Sequence, residues 1–190
     1  GGDIASWSPD SGKLISAVAQ LDDKANIIIF DIVSKEKKIV KTGQDDDRFV
    51  QWASKSDVLA FESNRDGDSE LFTMNLDGSN LKQLTQNNDI LDEWPQWSPN
   101  GDYIAFASGT ESEKNLWVMK ADGSEKRKLS HDMFFGDAYP TWSPDGSAIV
   151  WVVKDEPKDD SSTNSFIVDV ASGEIKPFIR GAMAPTWRSK

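Results

Sequence analysis

Three carboxylates stand at one recurring position: Asp47, Asp92 and Asp137, each five residues before a tryptophan (Trp52, Trp97, Trp142) and each 45 residues from the next. Aromatic side chains keep step with them: Phe49, Trp94 and Tyr139, each three residues before the same tryptophan. Phe134 and Phe135 are nearby, and Glu93 adjoins Asp92. Carboxylates held close together repel one another, and a cation or a Lys or Arg side chain relieves that repulsion. Rings beside acids suit the same guest, a basic group on an apolar stem. Asp47, Asp92, Glu93, Trp94, Phe135, Asp137 and Tyr139 are therefore the candidate partner-binding residues. The expected partner is a protein or peptide with basic groups. A second reading of these residues is structural: the carboxylates fix the backbone of an inner strand and the aromatics pack between units.

Asp66-Gly67-Asp68-Ser69-Glu70 is the other oxygen-rich stretch. Loop oxygens suit a hard cation, so Asp66, Asp68 and Glu70 are weak candidate ligands for calcium. The stretch lacks the spacing of an EF-hand loop and its terminal bidentate Glu, and a solvated hairpin is the competing reading. No other cofactor is expected. Catalysis finds little footing, because His131 is the only histidine and no Gly-x-Ser-x-Gly elbow surrounds a serine. With no cysteine, neither disulfides nor thiolate metal sites are available.

The elements that must position these residues follow from the spacing of the tryptophans. Trp7-Ser8-Pro9-Asp10, Trp97-Ser98-Pro99-Asn100 and Trp142-Ser143-Pro144-Asp145 repeat one motif. Trp52-Ala53-Ser54-Lys55 is a degraded copy and Trp187-Arg188-Ser189-Lys190 a last one. A fixed period of this size means a repeat architecture. In each unit the tryptophan sits in a first strand. A second strand follows at Leu14 to Val18, Val58 to Phe61, Tyr103 to Phe106 and Ala148 to Val152, short runs rich in β-branched and aromatic residues. Third strands fall at Asn26 to Ile32, Glu70 to Leu76, Asn115 to Ala121 and Asn164 to Val170. Asp77-Gly78 and Asp122-Gly123 then mark tight turns, since Gly accepts the positive φ such turns need. Fourth strands fall at Lys37 to Lys41, Leu81 to Thr85, Lys126 to Ser130 and Glu174 to Ile179. Four short strands per unit is the content of a propeller blade. The chain is read as all-β, one domain over 1–190, with repeats at about 3–47, 48–92, 93–137 and 138–182 and a surplus first strand at 183–187.

In a propeller the fourth-to-first and second-to-third connections share one face. Nineteen of the 32 acidic residues fall in those connections, so the field there is strongly negative. The net charge of −11 argues against nucleic acid, whose binding needs a basic face. No run approaches the roughly 18 apolar residues of a spanning helix, so no membrane insertion is expected. The basic clusters Lys35-Glu36-Lys37-Lys38 and Lys126-Arg127-Lys128 fall on outer strands, where charge guards an edge.

Asn64-Arg65-Asp66-Gly67-Asp68-Ser69-Glu70-Leu71-Phe72-Thr73-Met74-Asn75-Leu76-Asp77-Gly78-Ser79, with Gln83-Leu84-Thr85, resembles the repeat of TolB-type β-propellers. Asn115 to Ser124, Pro95-Gln96-Trp97-Ser98-Pro99 and Pro140-Thr141-Trp142-Ser143-Pro144 carry the likeness further. Repeat one departs from it at Ile32-Val33-Ser34-Lys35, and repeat four at its long polar loop. The resemblance implies a propeller of a bacterial periplasmic or extracellular protein, found in TolB, in prolyl-peptidase-like enzymes and in exported binding proteins. It specifies fold better than function. A protein-binding module, a regulatory or ligand-sensing domain of a larger exported enzyme or membrane-bound sensor, and a self-assembling structural fragment all fit. The family usually closes with six or more blades. The surplus copy at Trp187 therefore leaves three arrangements open: a piece of a larger propeller, a four-bladed ring, or half of a ring completed by a second copy.

Overall fold

A computed structural model describes residues 5–19, 25–40, 47–130, 139–154, 163–180 and 187. Four antiparallel sheets of four strands follow one another along the chain, and no helix occurs among the described residues. The first blade is β1 (Ser6–Trp7), β2 (Lys13–Ala19), β3 (Ala25–Asp31) and β4 (Lys37–Val40). The second is β5 (Arg48–Trp52), β6 (Val58–Ser63), β7 (Glu70–Asn75) and β8 (Lys82–Gln83). The third is β9 (Leu91–Trp97), β10 (Tyr103–Gly109), β11 (Lys114–Lys120) and β12 (Arg127–Lys128). The fourth is β13 (Thr141–Trp142), β14 (Ala148–Lys154), β15 (Thr163–Asp169) and β16 (Ile175–Arg180). Strand order equals chain order in every blade, the meander of a propeller.

The core lies between blades. β5 packs on β1 and β2, β9 on β5, β6 and β7, and β13 on β9. Leu59, Phe61, Phe72 and Met74 of blade two share one buried cluster with Ile15, Ile27 and Ile29 of blade one. Leu116, Val118 and Trp94 of blade three share another with Trp142, Ile149 and Trp151 of blade four. Strands buried on both faces explain why β6 reads as a continuous apolar run rather than an alternating one.

The Trp-Ser-Pro motif does more than pack. Ser143 Oγ donates to Asp145 Oδ1 at 2.7 Å and accepts from the Ala148 N–H at 3.0 Å, closing the turn into the next strand. Ser8 with Asp10 and Lys13, and Ser98 with Asn100 and Tyr103, repeat this arrangement. The tryptophan supplies the contact to the preceding blade: Trp142 Nε1 donates to Gln96 O at 3.0 Å, and Trp187 Nε1 donates to Thr141 O at 3.1 Å. Trp187 therefore stands to blade four as Trp142 stands to blade three. Trp52 and Trp142 are buried, whereas Trp7 is 55% exposed.

The fourth strands of blades two and three are shorter than the sequence suggested, two residues each. The cause is a side chain that takes over the ladder. Leu71 N–H donates to Thr85 Oγ1 and Leu116 N–H to Ser130 Oγ, where a backbone carbonyl would otherwise accept. The outer strands' basic residues also have a role beyond guarding an edge. Lys38 donates to Leu76 O, Lys82 to Asp122 O and Arg127 to Val170 O, so each clips the following blade at the turn after its third strand.

Candidate functional site

Both inner strands that carry an aromatic before the tryptophan contain a bulge. Pairing with the second strand slips by one residue between Arg48 and Gln51 in β5, and between Glu93 and Gln96 in β9. Phe49 and Trp94 sit in these bulges at φ of 50° and 54°, a left-handed conformation that costs a bulky residue strain. The bulges re-aim the rings toward one another. Phe49 meets Trp94 edge-on at 6.2 Å, Trp94 lies 5.3 Å from Tyr139, and Phe49 lies 5.8 Å from Tyr139. One ring from each of three consecutive blades thus forms a cluster, with Trp94 buried and Phe49 and Tyr139 half-buried.

The carboxylates at the recurring position are not left open. Asp47 is fully buried and receives both of its bonds from one Arg65 nitrogen, at 2.9 and 3.2 Å. Arg65 comes from the loop between β6 and β7, is steadied by Ser63 Oγ at 2.9 Å, and lies 4.6 Å from the centre of the Phe72 ring. Glu93 pairs with Lys114, the first residue of β11, and the Lys114 ammonium lies 4.7 Å from the centre of the Trp94 ring. The acid–aromatic arrangement expected to seize a partner's basic group therefore holds two of the chain's own. Gly109 lets β10 meet β11 beside Lys114, since a Cβ there would lie 1.9 Å from Glu113 O.

Asp92 has a different neighbourhood. Its N–H donates to Ser69 O at 2.7 Å, which seats it against the Asp66–Glu70 loop. Asn87 Nδ2 donates to Asp92 Oδ2 at 3.0 Å and reaches Glu70 Oε2 at 3.5 Å, while Asn87 N–H donates to Glu70 Oε1 at 2.6 Å. Burial raises the Asp92 carboxyl above the ordinary range, against nearby Ser108, Thr85 and Asn87 groups that lower it. Glu70, fully buried, is pushed up to about 7, chiefly by burial and further by the charges of Asp92 and Asp68. Glu62, between these two regions, is likewise raised by burial.

The sequence pattern of the TolB beta propeller domain matches residues 3–187. The chain belongs to that family. Among solved structures the TolB-type fold recurs in TolB from Acinetobacter baumannii, 18% identical with a TM-score of 0.72, over 91% of this chain and 42% of that one. It recurs in an oligogalacturonate lyase from Vibrio parahaemolyticus, 15% identical with a TM-score of 0.72, over 97% of this chain and 55% of that one. A puromycin-hydrolyzing peptidase of Mycobacterium tuberculosis is 15% identical with a TM-score of 0.71, over 97% of this chain and 30% of that one. No curated protein matches in sequence. The chain thus spans 42% and 55% of the first two structures, and identities this low speak for fold alone.

Within this TolB-type propeller, Asp47, Asp92, Glu93, Trp94 and Tyr139 all lie around the inner strands, and Trp94 and Tyr139 touch. Phe135 and Asp137 lie outside the described residues. Asp66, Asp68 and Glu70 each bring one oxygen within 4.8 Å of the others. Arg65, Asn87 and Lys114, which pair with these acids, carried no repeat signal: residues 45 along the chain from them are Thr110, Asp132 and Asp159. Nothing in the residue types demands the bulges.

Proposed function

We propose that this chain is the propeller part of a larger, exported bacterial protein and binds a protein or peptide partner on the face of its acidic loops. The observation that carries this reading is the three-blade aromatic cluster of Phe49, Trp94 and Tyr139, two members of which sit in strained backbone. Strain kept at one repeat position in two blades is typical of recognition and switch sites. Tyr and Phe edges are efficient anchors, because they bring large contact area at little entropy cost. Glu93 supports that cluster through Lys114, which lies against the Trp94 ring, and Asp47, paired with Arg65, stands two residues before Phe49. The net charge of −11 would steer a basic partner to it. The activity in this reading is binding; no catalytic role is assigned. Periplasmic or extracellular residence is part of the proposal and rests on kinship with TolB-type propellers.

Peptide display against the immobilised protein tests the idea with a random peptide library as probe. Enriched peptides should carry aromatic and basic residues, bind less tightly as salt rises, and lose at least about tenfold in affinity to Tyr139→Ala. Equal binding to wild type and to Tyr139→Ala would remove the cluster from the account. A second reading is favoured by the lyase and peptidase among the structural neighbours: the propeller serves as a non-catalytic domain beside a catalytic one in the same protein. The sequence of the full coding region separates the two, since only the second requires a catalytic domain next to this one.

A further inference from the structure

We infer that the side of blade one facing away from blade two is a docking surface for a second copy of this chain, which covers it with the far side of its own blade four. The contact is the one that already joins blades within the chain, made once more between two molecules. Three internal junctions define it. The earlier blade brings a buried pair from its third and fourth strands: Ile27 with Val40, Leu71 with Leu84, Leu116 with Leu129. The later blade brings a row across its first three strands. That row is Trp52, Leu59 and Met74 in blade two, and Trp142, Ile149 and Val168 in blade four, all buried. Blade three repeats it with Trp97 half-buried.

Blade one carries the same row, Trp7, Leu14 and Phe30, in the same register. No blade among the described residues packs on it: Trp7 is 55% exposed, and Leu14 and Phe30 are half-buried. Blade four carries the matching pair, Ser165 with Ile179. Ile179 is 49% exposed, whereas Val40, Leu84 and Leu129 are at most 7% exposed. One molecule thus holds both halves of an unmade junction, and an exposed apolar face of this kind marks an interaction site.

A polar contact is unmade at the same two places. Lys176 stands opposite Ile167 just as Lys38, Lys82 and Arg127 stand opposite Ile29, Thr73 and Val118. Those three clip the following blade, whereas Lys176 rests on exposed Glu174 at 3.1 Å. The turn after β3 of a second copy supplies the missing acceptor. Trp187 marks where Trp7 of that copy fits, because its Nε1 donates to Thr141 O as Trp142 Nε1 donates to Gln96 O. Trp187 is therefore a competitor for the place. Since the contact joins two different faces, it closes into a ring of copies or runs on head to tail.

Sedimentation equilibrium of the protein from about 1 μM to about 200 μM reads the outcome. The mass should rise with concentration from one chain toward two or more per particle. Trp7→Asp and Ile179→Asp should each weaken association at least about tenfold, while Leu81→Asp, an exposed apolar residue of blade two, leaves it unchanged. An equimolar mixture of the Trp7 and Ile179 variants should associate again, because one intact junction remains between them. Trp187→Ala should tighten association by removing the competitor. Should Trp7→Asp melt well below wild type, Trp7→Ala takes its place in both comparisons. A single chain at every concentration would overturn the second copy as occupant. Association undiminished by either variant, or a mixture that stays monomeric, would overturn the head-to-tail contact, and unchanged association in Trp187→Ala would overturn the competition.

Discussion

Asp47 and Asp92 occupy the same place in successive blades, and both are buried, yet their chemistry differs. Asp47 meets an arginine at 2.9 Å and has its charge balanced within the fold. Asp92 meets an amide, Asn87, and through it a second buried acid, Glu70. In the second pair burial disfavours the ionised form, and at Glu70 a like charge adds to it. Glu70 accordingly rises to about 7 while Asp92 is raised as well. The repeat fixes where a carboxylate stands. Residues outside the repeat decide what it does there.

The largest expected effect comes from breaking the balanced side. Arg65→Ala would leave Asp47 buried and unpaired, and such a loss typically costs about 3–5 kcal/mol. The urea midpoint should fall accordingly, and Asp47→Asn added to Arg65→Ala should restore most of it, a coupling that a double-mutant cycle reads directly. Next in size is one substitution made at both positions. Asp47→Asn should cost about 2 kcal/mol by removing the charge that Arg65 was matched to. Asp92→Asn, measured at pH 7, should range from neutral to a gain of about 1 kcal/mol, since it removes one of two crowded buried acids. Equal losses at the two sites would mean that repeat position, not partner, sets the energetics.

Glu62 sharpens the same contrast from the pH side. Its folded carboxyl is raised by burial, so the folded state binds a proton more readily than the unfolded chain. Stability linked to it is therefore fully present below the ordinary 4.5 and is lost as pH rises from there through the folded value. Glu62→Gln keeps an acceptor for the Trp94 N–H and should gain on wild type at pH 8, with the gain vanishing toward pH 4 in parallel melts.

Much of this was legible in the sequence because the informative residues act locally. Trp142-Ser143-Pro144-Asp145-Gly146 writes a strand end and a turn, and Asp77-Gly78 a hairpin, with no help from distant residues. Four blades, the strand positions and the family followed from them. The fourth strands at Lys82 and Arg127 came out short because Thr85 and Ser130 hydroxyls replace a carbonyl, a substitution that pattern cannot weigh. The candidate site was legible in position and not in state. Nothing local marks Arg65 as the partner of Asp47, eighteen residues away. Nor does Phe49 or Trp94 announce a left-handed backbone, which residue type would assign to Gly or Asn.

The smallest expected effect tests a carboxylate that no burial touches. Asp145 is held down to about 2 by the Ser143 hydroxyl, then by the Ser147 N–H and hydroxyl. A group whose folded value lies below its ordinary 3.8 adds stability above 3.8 and loses it as pH falls to about 2. Asp145→Asn should therefore melt below wild type at pH 5 and above, and the gap should close between about pH 4 and pH 2. The difference should not exceed about 3 °C, because blade three already carries the neutral version: Asn100 accepts from Ser98 Oγ at 2.6 Å and from the Asp102 N–H at 3.2 Å. A gap that persists at pH 2 would mean that Asp145 acts through shape rather than charge. Its charge would then matter less than that of Asp47, whose arginine has no counterpart in this turn.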